Sequence, residues 1–185
     1  MMNNKVYILL AEGFEIIEAL TPVDVMRRCK IPFATVSIAD SPVVTASCGV
    51  SVSADLPLSG TDFSDGAVLV LPGGYPGYVN LRDNAAVGNL VHDFYSSQRF
   101  IAAICGAPSV LAHCGIAAGC RVTCHRSVAD RMNAYDLVPD RLVRDGKIIT
   151  AAGAGISLEF SIAIASLLVG DDVISHLRMK LELEP

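Results

Sequence analysis

Short runs that are apolar at nearly every position alternate along this chain with longer stretches whose apolar residues recur every three or four positions. The runs at Lys5–Leu10, 67–71 and Phe100–Ile104 are too short for helices, and their uniform apolarity fits strands buried on both faces. Residues 33–39 read as a further strand, and 121–124 as a short one ending on His125. Two hairpins are expected, 43–46 with 50–54 around Cys48-Gly49, and 142–144 with 147–151 around Asp145-Gly146. Helical spacing occupies 14–29, 84–97, 157–169 and 171–179; in the first of these Ile16, Ile17, Leu20, Val23 and Met26 fall near a 3.6-residue period. Pro22 is at odds with one continuous first helix, because an interior proline kinks or breaks it. Residues 56–65 read as loop.

Strands alternating with helices at this spacing call for a mostly parallel sheet covered on both faces. Ligands of such sheets gather at the C-terminal strand ends, where Glu12, Gly73, Cys105 and His125 all fall. The most informative end is FIAAICGAPSVLA, residues 100–112, in which the apolar run stops on Cys105 and Pro108 suits the first turn of a helix. Ala103 and Ala107 are small enough for a sharp strand-to-helix turn, and Gly106 adds freedom. A thiol beside the free N–H groups of a helix start is expected to ionise more readily than free cysteine, whose pKa is about 8.5. Cys105 is therefore a candidate nucleophile; the competing reading is a cysteine buried for packing alone. Gly73-Gly74 likewise either make a plain turn or let the backbone approach a ligand.

Composition narrows the class. A chain of 185 residues reads as one domain, 1–185, large enough to bury roughly 70% of its unfolded surface. It is 52% hydrophobic, yet no apolar run reaches the roughly 18 residues of a membrane span, so a soluble globular protein without a membrane partner is expected. The opening MMNNKVYILL lacks the parts of a secretory signal, which points to the cytoplasm. Net charge is -5 and the basic residues are scattered apart from Arg27-Arg28, so no basic stripe invites nucleic acid. The six cysteines are expected to be reduced thiols. Three of them, with two histidines, crowd into HCGIAAGCRVTCH at 113–125, but the intervening gaps of five and three residues do not match the paired C-x2-C spacing of structural zinc. Cys124 and His125 would also point to opposite faces of a strand. No metal is expected.

Five stretches, in order, carry a resemblance: LAEGFEIIEALTPVDVMRR (10–28), VLVLPGGYPGYVNL (68–81), AAICGAPSVLA (102–112), VTCHRSVADRM (122–132) and GAGISLEFSIAIASLLVG (153–170). In these the sequence resembles the ThiJ/PfpI superfamily, most closely its DJ-one branch, over essentially the whole chain. The resemblance implies an α/β, flavodoxin-like three-layer sandwich with a nucleophile-elbow cysteine, a first helix that continues through Pro22, and a homodimer. It implies Cys105 as nucleophile and Glu18 as its partner acid, held protonated against the sulfur and donating a hydrogen bond to the thiolate. That pairing is physically coherent, because an adjacent anion raises a carboxyl pKa and an O–H donor stabilises a thiolate. On the residues alone, Glu18 reads as an exposed first-turn glutamate favoured by the helix dipole. Gly74 and Gly106 would supply the backbone N–H groups of an oxyanion hole, His125 would serve as a proton shuttle, and Asp24 would support the partner subunit's histidine. Where relatives carry two arginines this chain has Cys48 and Ala152, so an anion site between them is not expected, and Tyr75-Pro76 make the mouth of the site more apolar and aromatic.

The activity implied is cysteine-dependent and cofactor-independent. Thiolate adds to a small reactive carbonyl such as methylglyoxal, or to its early thiol or amine adduct, and a 2-hydroxy acid is released. The alternative is a redox-responsive stress protein or chaperone in which peroxide oxidises Cys105. A cysteine peptidase or amidotransferase-like hydrolase ranks below both, since nothing in the sequence suggests a fuller triad or a synthetase partner.

Overall fold

A computed structural model of the chain describes residues 4–183. Seven strands form one sheet in the order β10-β11-β7-β6-β1-β2-β5. These are β1 (Lys5–Leu10), β2 (Phe33–Ser37), β5 (Leu56–Pro57), β6 (Gly66–Leu71), β7 (Phe100–Ile104), β10 (Leu142–Asp145) and β11 (Ile148–Ala151). Every neighbouring pair is parallel except β10 with β11. A hairpin of β3 (Val43–Thr45) and β4 (Ser51–Ser53) lies apart from the sheet, as does the parallel pair of β8 (Arg121–Val122) and β9 (Asp136–Leu137).

Alternation along the buried strands builds two cores, one on each face. Val6, Ile8 and Leu10 of β1, with Val68 and Val70 of β6, pack against Val25 and Met26 of helix α1 (Ile16–Arg28). The same core takes Phe160 and Ile164 of α5 (Ser157–Ala165) and Leu177 of α6 (Asp171–Lys180). Tyr7, Leu9, Leu69 and Leu71 point the other way, onto Val91 and Phe94 of α3 (Ala85–Ser96) and Val110 and Leu111 of α4 (Pro108–His113). Helix α2 (Gly77–Asp83) precedes α3. This is the three-layer, flavodoxin-like arrangement expected from the sequence, and no helix among the described residues is long and apolar enough to cross a membrane.

The register sets the site. Leu71 lies beside Ala103, and Ile104 beside Ala151, so β6, β7 and β11 stop together. The segments leaving them therefore meet at one edge of the sheet.

Several boundaries differ from the sequence reading. Pro22 sits inside α1 without ending it; lacking an N–H, it leaves the Glu18 carbonyl without its usual donor four residues on. Helix α2 was not anticipated, because only Gly77 and Leu81 of its seven residues are buried and no period shows. Residues 56–57, read as loop, form an edge strand against β2, and α5 gives way to turns at Ser166, before the expected 169.

Candidate active site

Cys105 occupies the step between β7 and α4 with φ +63°, the left-handed region that a side-chain-bearing residue adopts only at a cost. Two backbone hydrogen bonds hold it there. Its N–H donates to the Ala151 carbonyl at 2.9 Å, and its own carbonyl accepts from the His125 N–H at 2.8 Å. Gly106 follows because nothing larger fits: a Cβ there would stand 2.5–2.8 Å from three atoms of the Tyr78 ring. Helix α4 is only six residues long and begins with Pro108.

Glu18, in the first turn of α1, is completely buried. Its Oε2 accepts from the Gly73 N–H at 2.8 Å. Its Oε1 faces no aligned donor, and the Cys105 thiol is the polar side chain that interacts with the carboxyl. Gly73 makes this closeness possible. A Cβ on it would lie 2.6 Å from the Cys105 Cβ, 2.7 Å from Glu18 Oε2 and 3.0 Å from the Ile104 carbonyl oxygen. The backbone N–H groups of Gly74 and Gly106 lie close enough to the Cys105 sulfur to favour its thiolate. Gly74 adopts φ +87°, and a Cβ there would meet the Glu15 nitrogen at 2.2 Å.

Burial raises the Glu18 carboxyl to about 7, opposed by the Gly73 N–H and the thiol and assisted by the Glu15 charge. Burial, followed by the facing Glu18 charge, pushes the Cys105 thiol up to about 12 against the pull of the two glycine N–H groups. This corrects the expectation of a thiol made more acidic by its place at a helix start. The helix is too short to offer much dipole, and both the loss of water and the neighbouring carboxylate work in the opposite direction. Above about 7 the pair holds a single proton. With the proton on Glu18, the repulsion disappears and its O–H can donate to sulfur; with the proton on sulfur, the carboxylate keeps its bond from Gly73.

The other expected residues divide. His125 is exposed and joins the site through its backbone; its ring is held by Ser127, whose Oγ lies 2.8 Å from Nδ1 and whose N–H donates to the same atom at 3.3 Å. Acceptance at Nδ1 leaves the proton of the neutral ring on Nε2. No hydrogen bond joins that ring to Cys105 among the described residues. Asp24 pairs with Arg28 one turn along α1 at 2.7 Å, on the exposed side of the helix. Cys48 is exposed at the tip of the β3–β4 hairpin, and all six cysteines are free. Among the described residues no group of three or more His, Cys, Asp or Glu side chains is placed to hold a metal.

Gly73, expected only at a strand end where ligands gather, binds the Glu18 carboxyl directly. The Gly-Gly pair was the available signal, but it did not show that the first glycine serves Glu18 and the second serves the sulfur.

The chain is similar to known proteins in both sequence and fold. The model of the DJ-1/PfpI family matches residues 4–167. The Parkinson disease protein 7 homolog of Danio rerio is 35% identical over 188 residues, covering 100% of both chains. The glutathione-independent glyoxalase DJR-1.2 of Caenorhabditis elegans is 31% identical over 172 residues, 92% of this chain and 91% of its own. The crystal structure of Drosophila melanogaster DJ-1beta superposes with a TM-score of 0.93 at 33% identity, over 97% of this chain and 98% of that one. On these matches, spanning sequence and fold alike, the chain belongs to the DJ-1/PfpI family.

Proposed function

We propose that this protein is a cofactor-independent enzyme that converts α-oxoaldehydes such as methylglyoxal, free or as early thiol and amine adducts, to 2-hydroxy acids. The observation that carries the reading is the fully buried Glu18 carboxyl set against a cysteine that receives two backbone N–H groups. A buried acid and a nucleophile sharing one proton can each hold it in turn, as the reaction requires. That a relative is named a glutathione-independent glyoxalase supports the same chemistry.

The Cys105 sulfur, its proton passed to Glu18, adds to the aldehyde carbon; the carbonyl oxygen takes a proton and a hemithioacetal forms. The Glu18 carboxylate then removes the proton from that carbon and returns it to the adjacent, former ketone carbon, while the hemithioacetal hydroxyl proton passes to the former ketone oxygen. The product of this internal redox shift is a thioester of the 2-hydroxy acid. Water cleaves it, the acid leaves, and the sulfur regains its proton. The Gly74 and Gly106 N–H groups, aimed at sulfur in the resting site, lie beside the oxygen that becomes negative during addition and hydrolysis. His125, with Nε2 available, carries protons between the hydrolytic water and solvent. In this reading the enzyme works among reduced cytoplasmic thiols as a homodimer, Asp24 lying at the subunit contact.

Glu18→Gln tests the proton-transfer role. Loss of methylglyoxal turnover, with Cys105 still reacting with iodoacetamide, is the expected result; turnover at the wild-type rate would overturn the mechanism.

A further inference from the structure

Each of the two glycines whose N–H groups reach the sulfur adjoins an aromatic ring. Tyr75 directly follows Gly74 and is 74% exposed, the most exposed large apolar side chain described. Tyr78 stands against Gly106, closely enough that a methyl group on that glycine would enter its ring. The two ring centroids lie 6.3 Å apart with planes tilted by 56°. Tyr78 is partly buried against the core that α3 and α4 cover, whereas Tyr75 is largely exposed among the described residues. A large aromatic surface left in water beside a nucleophile costs solvation that a ligand's own apolar group would recover.

The geometry points to Tyr75 and Tyr78 as a specificity wall that favours α-oxoaldehydes bearing an aromatic or other flat apolar substituent over methylglyoxal. This inference deepens the proposed activity and rests on it. The carbonyl end of the substrate is held at Cys105 between the two glycine N–H groups, and its substituent lies along the Tyr75 ring, with Tyr78 as the partly buried backing. An aromatic contact of this kind corresponds to about a tenfold preference in kcat/KM.

The test compares phenylglyoxal with methylglyoxal in wild type, Tyr75→Ala and Tyr75→Phe. The ratio of the two kcat/KM values is expected to fall about tenfold in Tyr75→Ala and to return in Tyr75→Phe. An unchanged ratio in Tyr75→Ala would overturn the assignment. Should wild type turn over neither substrate, the proposed activity fails, and alkylation of Cys105 decides the wall separately. Here the sulfur displaces bromide from 2-bromoacetophenone or bromoacetone, forming a carbon–sulfur bond that mass spectrometry locates. A rate ratio that drops about tenfold from wild type to Tyr75→Ala supports the wall, and an unchanged ratio rejects it. Because both reagents meet the same thiol in each variant, their intrinsic reactivities cancel.

Discussion

Replacing Glu18 with glutamine should make the protein more stable at neutral and mildly alkaline pH, by an amount the site's electrostatics set. The carboxyl titrates near 4.5 in the unfolded chain and at about 7 in the fold. Between those values the native state binds more protons than the unfolded state, so stability falls as pH rises. The rise from 4.5 to about 7 corresponds to about 3 kcal/mol, fully lost above the folded value. No discount for solvent screening applies, because the side chain is 0% exposed. Glutamine keeps an oxygen for the Gly73 N–H, places an amide where Oε1 faces the sulfur, and does not titrate. Urea unfolding of both proteins at pH 4.5, 6, 7 and 8, at one protein concentration and under reducing conditions, gives the difference in stability. Titrating groups not coupled to Glu18 cancel in that difference. It should grow by about 3 kcal/mol in favour of the glutamine variant between pH 4.5 and 8. A difference that stays flat would show that Glu18 titrates as an ordinary exposed carboxyl and would refute the reasoning.

Three further outcomes follow from the same geometry. Removing the Glu18 charge takes away the second-largest cause of the raised Cys105 pKa, so thiolate absorbance near 240 nm in Glu18→Gln should titrate below the wild-type midpoint of about 12; an equal or higher midpoint would contradict the coupling. Gly73→Ala sets a methyl group within 3 Å of the Ile104 carbonyl, the Cys105 Cβ and Glu18 Oε2, and should cost about 1–3 kcal/mol in urea unfolding while abolishing turnover. Arg99 lies at the opposite end of β7, donating to the Phe63 and Gly66 carbonyls, pairing with Asp93 and covering the Phe94 ring. Arg99→Met should lower stability by about 2–4 kcal/mol, with kcat per folded molecule unchanged.

What the sequence revealed depended on whether local pattern alone decided the outcome. The strands β1, β6 and β7 were legible because both faces are buried and nearly every position is apolar. Cys105 was legible because the apolar run, the small residues and Pro108 all lie within a few positions of it. Glu18 was not legible in this way. Glu15, three residues earlier at the N-cap of the same helix, is the same residue type but only half buried. What separates them is the arrival of Gly73 and Cys105 from strands much farther along the chain, and periodicity carries no record of that. The family resemblance identified Glu18 where the pattern could not. The direction of the thiol's pKa was misjudged for the same reason: the helix start is local, whereas burial and the carboxylate are tertiary. For His125 the sequence placed the backbone at the strand end, while the ring's orientation is set by Ser127, two residues on.

The most direct test of the central claim is lactate formation from methylglyoxal by the purified protein without glutathione, followed by NMR beside Cys105→Ser. Lactate equal to the methylglyoxal consumed is expected from the wild-type protein, and none above background from the variant. Equal rates in the two proteins, or consumption of methylglyoxal without lactate, would contradict the claim and return the weight to Cys105 as a site of oxidation.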